Sequence, residues 1–275
     1  MKRLLRRLGL IRPRITGVPY RFDLKACCPE LAPALATTVQ WRRRTEYQPE
    51  GITASGFSCT AGAHKWHHYF AIYDHLFAGF RHGPISLLEI GVYKGASLKV
   101  WRQYFHPESS IVGIDTNPEC AVFESVNDNV HIRIGPQQDQ DFVAGIVSEF
   151  GPFDLIIDDG SHMSSHMIAS FNHLFDPGLK DGGLYFVEDT HTNFWRDYRD
   201  SNRSFMDFSF GLVECMHAHY AATSSELTFR VGGAENHSSV EVPRITTLIE
   251  EIRFFDSVVA IRKALSRELP QSQHW

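Results

Sequence analysis

The chain has 275 residues, of which 43% are hydrophobic and 21% are charged, and its formal net charge is −5. The length and composition suit one large globular domain or one domain with extensions. The negative net charge gives no long-range electrostatic attraction to nucleic acid or to an anionic membrane. No apolar run approaches the roughly 20 residues of a membrane helix, so we expect no stable membrane insertion. The five cysteines form no regular framework, which favours a reducing compartment, the cytoplasm.

The first part of the chain is predicted to be an extension, because it is irregular and contains several prolines. We divide the chain into this extension (residues 1–60), for which subunit contacts and a lid over the acceptor are the two expected roles, and a main domain (61–275). Basic residues and leucines at helical spacing in residues 1–15 fit a membrane-surface helix or an import signal. We favour a frayed basic arm, or a helix that docks on a partner subunit of a homo-oligomer. Residues 37–47 predict a short helix and residues 51–64 a loop.

The main domain is predicted to be an α/β fold. Residues 65–80 place apolar and aromatic side chains at helical spacing, which indicates an amphipathic helix. From residue 86 onward, short apolar runs alternate with helical patterns, which predicts a Rossmann-like, doubly wound and mainly parallel sheet with helices on both faces. The predicted strands are 86–92, 110–115, 130–135, 153–158 and 182–189, and the predicted helices are 95–105, 141–150 and 164–179.

The last part of the chain is less regular. Residues 205–222 are predicted to be helical, and residues 225–232 and 252–263 each resemble a strand. Late strands of this kind commonly complete an α/β sheet as an antiparallel edge.

The first predicted strand ends in LLEIGVYKGAS (residues 87–97), in which Glu89, Gly91 and Gly95 mark a glycine loop before a helix. Glycines allow a tight turn and a close approach of the backbone to a ligand. The spacing matches neither a phosphate-binding loop nor the dinucleotide fingerprint. Asp115 ends the second strand, 20 residues after Gly95. It can bind both hydroxyls of a ribose or, alternatively, cap the turn that follows, and the loop and the acid together favour an adenosine-type ligand.

These motifs resemble the nucleotide-binding half of class I S-adenosylmethionine-dependent methyltransferases. The resemblance implies that Gly91 and Gly95 line the methionyl part of the cofactor and that Asp115 binds the ribose. The segment IGPQQDQDF (residues 134–142) resembles the family segment near the adenine, although Asp139 is equally well interpreted as a surface-loop residue. The candidate cofactor-binding residues are Glu89, Gly91, Tyr93, Gly95, Ser97, Asp115, Gln137, Asp139 and Asp158.

Acidic residues follow the fourth and fifth predicted strands. Asp158 and Asp159 occur in DLIIDDGSH, and Glu188 and Asp189 occur in VEDTHT. Their side chains are expected to converge, and like charges in one cleft repel each other. Mg²⁺ or a similar divalent cation would resolve the repulsion, because hard cations favour oxygen ligands. We therefore predict Asp159, Glu188 and Asp189 as metal ligands; the alternative is that these acids pair with arginines or cap helices.

His162 lies three residues after Asp159, close enough to face the same pocket. A neutral imidazole could take a proton from an acceptor hydroxyl, and a metal would orient that hydroxyl and lower its pKa. We therefore predict His162 and Asp159 as the catalytic residues.

The pair of motifs DLIIDDGSH and GGLYFVEDTHTNFW resembles a narrower group, the metal-dependent sugar O-methyltransferases that tailor macrolide sugars and glycolipid or polysaccharide hexoses. In that group the first motif supplies a metal-binding Asp and a base His, and the second an acidic metal pair. The resemblance implies these roles for Asp159, His162, Glu188 and Asp189, and it spans about residues 60–263. The group often carries Thr-Asp-Lys where this chain has Ala63-His64-Lys65.

The predicted function is an S-adenosylmethionine- and Mg²⁺-dependent O-methyltransferase that acts on a sugar hydroxyl. His191, Phe194, Trp195 and Tyr198 follow the acidic pair, and aromatic rings can stack on sugar faces, although ordinary loop packing is the alternative. Two other functions stay open, an O-methyltransferase for a phenol or catechol and a non-catalytic cofactor-binding module. A hydrolase is disfavoured because no GxSxG elbow occurs.

Overall fold

A computed structural model describes residues 28–42, 50–221, 223 and 225–273. The strands are β1 (Ser86–Ile90), β2 (Ser110–Asp115), β3 (Val130–Ile134), β4 (Phe153–Asp158), β5 (Leu179–Val187), β6 (Ile249–Phe255) and β7 (Val258–Lys263). The helices are α1 (Ile52–Ser58), α2 (Tyr69–Phe77), α3 (Ala96–Tyr104), α4 (Gln140–Phe150), α5 (Ser164–Leu174), α6 (Phe205–Met216), α7 (Ala218–Ala221) and α8 (Arg244–Leu248). None of the described helices is long and apolar enough to cross a membrane.

The strands form one seven-stranded sheet in the order β3-β2-β1-β4-β5-β7-β6. Strands β1 to β5 run parallel, and β7 runs antiparallel to both β5 and β6. The predicted doubly wound sheet with an antiparallel edge is therefore confirmed. The chain moves outward from β1 in one direction and from β4 in the other, so the boundary between β1 and β4 is the switch point where such folds bind ligands.

The sheet is buried on both faces, which explains why its strands are nearly continuous apolar runs. Successive side chains of a strand point to opposite faces. Leu87 accordingly packs in one core layer with Tyr73 and Trp101, while Leu88 packs in the other with Phe171 and Tyr185. The first layer holds α1, α2 and α3, and the second holds α4, α5 and α6.

Several local predictions were wrong. Residues 51–64 were expected to be a loop, but α1 forms there because the Asp74 carboxylate accepts hydrogen bonds from the N–H groups of Ile52 (2.9 Å) and Thr53 (3.2 Å) at its N-terminus. This cap comes from another helix, so the local sequence does not contain its signal. The predicted strand at 225–232 is instead a 3₁₀ helix over Glu226–Phe229, started by the Ser225 hydroxyl, which accepts a hydrogen bond from the Leu227 N–H.

The segment 252–263 forms a hairpin of two strands rather than a single strand. Its turn contains Ser257 in a left-handed conformation (φ 65°), which an apolar pattern does not reveal. Helix α2 begins at Tyr69, four residues after the predicted start. The predicted helix at 37–47 is not formed over residues 37–42, and its remainder and the basic arm of residues 1–15 lie outside the described residues.

Candidate functional site

The carboxyl ends of β1, β2, β4 and β5 border one cavity of about 1130 Å³. This is the edge of the sheet at which the sequence predicted a site. Predicted site residues that line the cavity are Gly91, Tyr93, Ser97, Asp115, Gln137, Asp159, His162 and Asp189. The structure therefore brings the glycine loop, the acid after β2, and two of the acids that follow β4 and β5, Asp159 and Asp189, to a single space.

The glycine loop turns sharply against the neighbouring strand. Gly91 has φ 98° and donates its N–H to the Ile114 carbonyl at 2.8 Å. Gly95 has φ 67° and directly precedes α3. Such positive φ angles are costly for residues with a Cβ, so the two glycines are required by the turn.

Asp115 holds the glycine loop in place and also faces the cavity. Its Oδ2 accepts hydrogen bonds from the N–H groups of Val92 (3.0 Å) and Tyr93 (2.9 Å), and its Oδ1 accepts one from Asn117 (2.8 Å). A carboxylate has about four acceptor positions, so capacity for a ligand hydroxyl remains. The residue thus caps the turn, as the alternative interpretation proposed, and lines the ligand space as well.

Three predicted cofactor residues find their partners within the protein. Glu89 is fully buried and accepts hydrogen bonds from Ser97 Oγ (2.9 Å) and Trp101 Nε1 (3.0 Å), and burial raises its pKa to about 7. Asp139 caps α4 by accepting the Phe142 N–H at 3.0 Å. Neither side chain lines the cavity.

Asp158 is the third of these residues. It is fully buried, and burial raises its pKa to about 7. Gln137 links it to the cavity wall, because Gln137 Nε2 donates to Asp158 Oδ1 (3.0 Å) and Gln137 Oε1 accepts the Ser161 N–H (2.8 Å). Gln137 itself lines the cavity, and its amide orients the loop that carries Asp159 and His162.

Asp159, His162 and Asp189 form a cluster whose ligand atoms all lie within 4.8 Å of one another. His162 Nε2 lies 3.5 Å from Asp189 Oδ2 and 3.9 Å from Asp159 Oδ1. His162 (φ 57°) and Asp189 (φ 54°) are both left-handed, and such strain concentrates at functional sites. Two carboxylates and an imidazole are a donor set that fits a divalent cation.

Glu188 lies deeper than this cluster and pairs with Lys65. Lys65 Nζ lies 2.5 Å from Glu188 Oε2 and 2.6 Å from Asp159 Oδ2. Burial alone would lower the pKa of Lys65, but the charges of Asp159 and Glu188 reverse this and raise it above 10.5. Burial also raises the pKa of Glu188, and the charge of the Lys65 ammonium opposes this shift. Lys65 is therefore a site residue that the sequence analysis missed, since only arginine partners for the acids were considered.

Two tyrosines of α2 also reach the acids and were not predicted. The Tyr73 hydroxyl donates to Glu188 Oε1 at 2.8 Å, and the Tyr69 hydroxyl donates to Asp189 Oδ1 at 2.7 Å. They are four residues apart and so lie on one face of the helix. Their helical spacing is the signal in the sequence, and by itself this spacing indicates packing rather than hydrogen bonds to acids.

Aromatic side chains extend from the acidic cluster to the surface. His191 packs edge-on against Trp66 (5.4 Å between ring centres) and Trp195 (4.6 Å), which are 46% and 50% exposed. Tyr198 lies next to Trp195 and lines the cavity. The structure thus joins the predicted aromatic segment to Trp66, which comes from the segment before α2.

The sheet order, the glycine loop and the acid after β2 define the Rossmann-like methyltransferase fold. Residues 88–190 match the model of the Methyltransf_24 family, described as a methyltransferase domain. This segment of the chain is therefore similar to a methyltransferase domain.

Relatives of this chain include several sugar O-methyltransferases. It is 40% identical over 140 residues to 8-demethyl-8-(2-methoxy-alpha-L-rhamnosyl)-tetracenomycin-C 3'-O-methyltransferase of Streptomyces olivaceus, covering 48% of this chain and 35% of the relative. It is 35% identical over 176 residues to 8-demethyl-8-alpha-L-rhamnosyl tetracenomycin-C 2'-O-methyltransferase of the same organism, covering 59% and 45%. The chain thus spans less than half the length of these curated relatives.

Among solved structures, the fold is similar to the MycE methyltransferase of the mycinamycin biosynthetic pathway in complex with Mg, SAH and mycinamycin VI. The TM-score is 0.62 at 25% identity, and the alignment covers 78% of this chain and 52% of that chain.

Proposed function

We propose that this protein is an S-adenosylmethionine- and divalent-metal-dependent O-methyltransferase whose acceptor is a sugar hydroxyl. The observation that carries the proposal is the shared cavity, in which the glycine loop and Asp115 face the same space as Asp159, His162 and Asp189. A methyl donor and a hydroxyl activated by acid–base chemistry must meet in one enclosed place, and this cavity provides it.

The cofactor half of the cavity consists of the glycine loop and Asp115. S-adenosylmethionine supplies the methyl group on its sulfonium, already activated for displacement. The turn at Gly91 brings backbone rather than side chain to the cavity, and Asp115 offers its remaining acceptor position to a ribose hydroxyl. Gln137 fixes the neighbouring wall through its bond to the Ser161 N–H.

The acceptor half consists of the acidic cluster. Asp159, Glu188 and Asp189 are the proposed ligands of a divalent cation. Its positive charge would orient the acceptor hydroxyl and lower the pKa of that hydroxyl. His162 is the proposed general base, because its Nε2 faces the cluster at the end of β4. Tyr69 fixes the position of Asp189, because its hydroxyl donates a 2.7 Å hydrogen bond to Asp189 Oδ1.

The aromatic wall formed by Trp66, His191, Trp195 and Tyr198 supports a carbohydrate acceptor. Half-exposed indole rings next to the acidic cluster offer flat apolar surfaces that match the C–H faces of a hexose. Relatives that methylate rhamnosyl groups support the same substrate class.

The test is transfer of labelled methyl groups from S-adenosylmethionine to a panel of hexosides and catechols, with Mg²⁺ and with EDTA. We expect Mg²⁺-dependent labelling of a hexoside, and none with the His162→Ala variant as a control for contaminating activity. Labelling of catechols alone would replace the sugar acceptor by a phenolic one. Cofactor binding without transfer to any acceptor would instead favour a binding module.

A further inference from the structure

Lys65 forms buried ion pairs with two of the proposed metal ligands, Asp159 and Glu188. The Lys65 side chain is 7% exposed, and its ammonium lies between Asp159 Oδ2 (2.6 Å) and Glu188 Oε2 (2.5 Å). Asp159 and Glu188 directly follow different strands, β4 and β5, while Lys65 lies 94 and 123 residues earlier, in the segment before α2. The lysine therefore connects that segment to the strand ends and neutralises charge between them.

An ammonium in this position conflicts with a divalent cation on the same two carboxylates. Mg²⁺ requires oxygen ligands at about 2.0–2.1 Å, so a cation bound by both Asp159 and Glu188 would lie almost in contact with the Lys65 nitrogen. Two cations at that distance repel strongly in a buried site, where screening by water is weak. The ammonium and the metal must then exchange, at least at Glu188.

We propose that Lys65 is an internal counter-cation that competes with the divalent metal for Asp159 and Glu188. It keeps the carboxylates together when no metal is bound, and it weakens metal binding because its ion pairs must be broken. Among the described residues, Lys65 forms ion pairs with Asp159 and Glu188 and none with Asp189, so His162 and Asp189 are the part of the cluster that the lysine leaves to a cation. This inference rests on the metal dependence in the proposed function.

The test is the metal affinity of Lys65→Met, measured by Mn²⁺ electron paramagnetic resonance and by Mg²⁺ calorimetry. Methionine keeps an unbranched apolar stem and removes the charge. We expect Mn²⁺ to bind at least about tenfold more tightly than in the wild type, because the competing cation is gone.

Thermal unfolding provides a second measurement on the same variant. Without metal, Lys65→Met should unfold at a lower temperature, since two carboxylates are left unpaired. With saturating Mn²⁺ its rise in Tm should exceed that of the wild type. A lysine with a purely structural role would lower Tm equally in both conditions.

The matched control is Lys180→Met, which removes the same charge at the opposite end of the sheet, where Lys180 Nζ pairs with Asp154 Oδ2 at 2.8 Å. Its Mn²⁺ affinity should equal that of the wild type. If Lys65→Met does not fold, Lys65→Gln tests the same loss of charge, and Lys65→Arg, which keeps a cation, should retain the weaker affinity.

The outcomes separate this inference from the proposed function. If the wild type binds Mn²⁺ and Lys65→Met binds it equally or more weakly, the competition is refuted while the metal site stands. If neither protein binds Mn²⁺, the metal part of the proposed function fails together with the inference. Binding by Lys65→Met alone would support the inference in its strongest form.

Discussion

Gly91 lies directly against the backbone of Asp159. A Cβ at Gly91 would be 2.1 Å from the Asp159 carbonyl oxygen, closer than real Cβ contacts allow. The glycine loop after β1 and the acidic strand end after β4 are therefore packed backbone to backbone. The proposed cofactor half and the proposed metal half of the site share one rigid junction.

Gly91→Ala should disrupt both halves of the site. The added methyl would collide with the Asp159 carbonyl and would also have to adopt φ 98°, so the loop and the end of β4 must separate. We expect a loss of stability of at least about 2 kcal/mol and at least about tenfold weaker binding of S-adenosylmethionine. Calorimetric titration with the cofactor and chemical unfolding measure these two effects.

Gly145→Ala provides the matched control, because a Cβ there meets nothing within 4 Å and the residue lies inside α4. It should bind the cofactor normally and be more stable by about 0.5–1 kcal/mol. Normal cofactor binding by Gly91→Ala would show that the loop does not approach the ligand.

His162→Ala should reduce turnover by about 10²- to 10⁴-fold without weakening Mn²⁺ binding, because we assign it the role of a base and not of a ligand. Stopped assays with labelled cofactor give the rate, and electron paramagnetic resonance gives the metal affinity. A large loss of Mn²⁺ affinity would instead identify His162 as a ligand, which its position within the cluster also permits geometrically.

Trp66→Ala and Trp195→Ala should each raise the KM for the sugar acceptor by about tenfold and leave kcat within a few-fold. Both indoles are about half exposed beside His191, so their removal deletes acceptor surface rather than core. Phe210→Ala is the control, since Phe210 is exposed elsewhere, stacked on Phe254. If all three variants had the same KM for the sugar, the acceptor would not bind at this aromatic wall.

The fold was largely predictable because its signals are local. Apolar runs such as Leu155–Ile157 mark buried parallel strands, and the acids after them mark the ligand edge. The parts that were missed depend on contacts distant in sequence. The Lys65 ion pairs span 94 and 123 residues, and the cap of α1 by Asp74 spans 21 to 22. Spacing within the chain cannot reveal which cation reaches a given carboxylate.

Glu89→Gln should make the stability of the metal-free protein less dependent on pH. The pKa of Glu89 is raised by burial from an ordinary 4.5 to about 7 in the folded protein. Below pH 4.5 the residue is protonated in both the folded and the unfolded chain. Between pH 4.5 and 7 only the unfolded chain releases the proton, so stability falls as pH rises, by up to about 1.4 kcal/mol per pH unit.

Glutamine keeps both hydrogen bonds of this site, since its oxygen can accept from Trp101 Nε1 and its amide can donate to Ser97 Oγ. Urea unfolding in EDTA from pH 4.5 to 8 should therefore show Glu89→Gln gaining stability relative to the wild type as pH rises. A residual slope should persist, because burial raises the pKa of Asp158 to about 7 as well. Glu235→Gln, on the exposed surface, should keep the wild-type slope. If Glu89→Gln parallels the wild type across this range, Glu89 is already ionised in the folded protein and its burial is offset by Lys65.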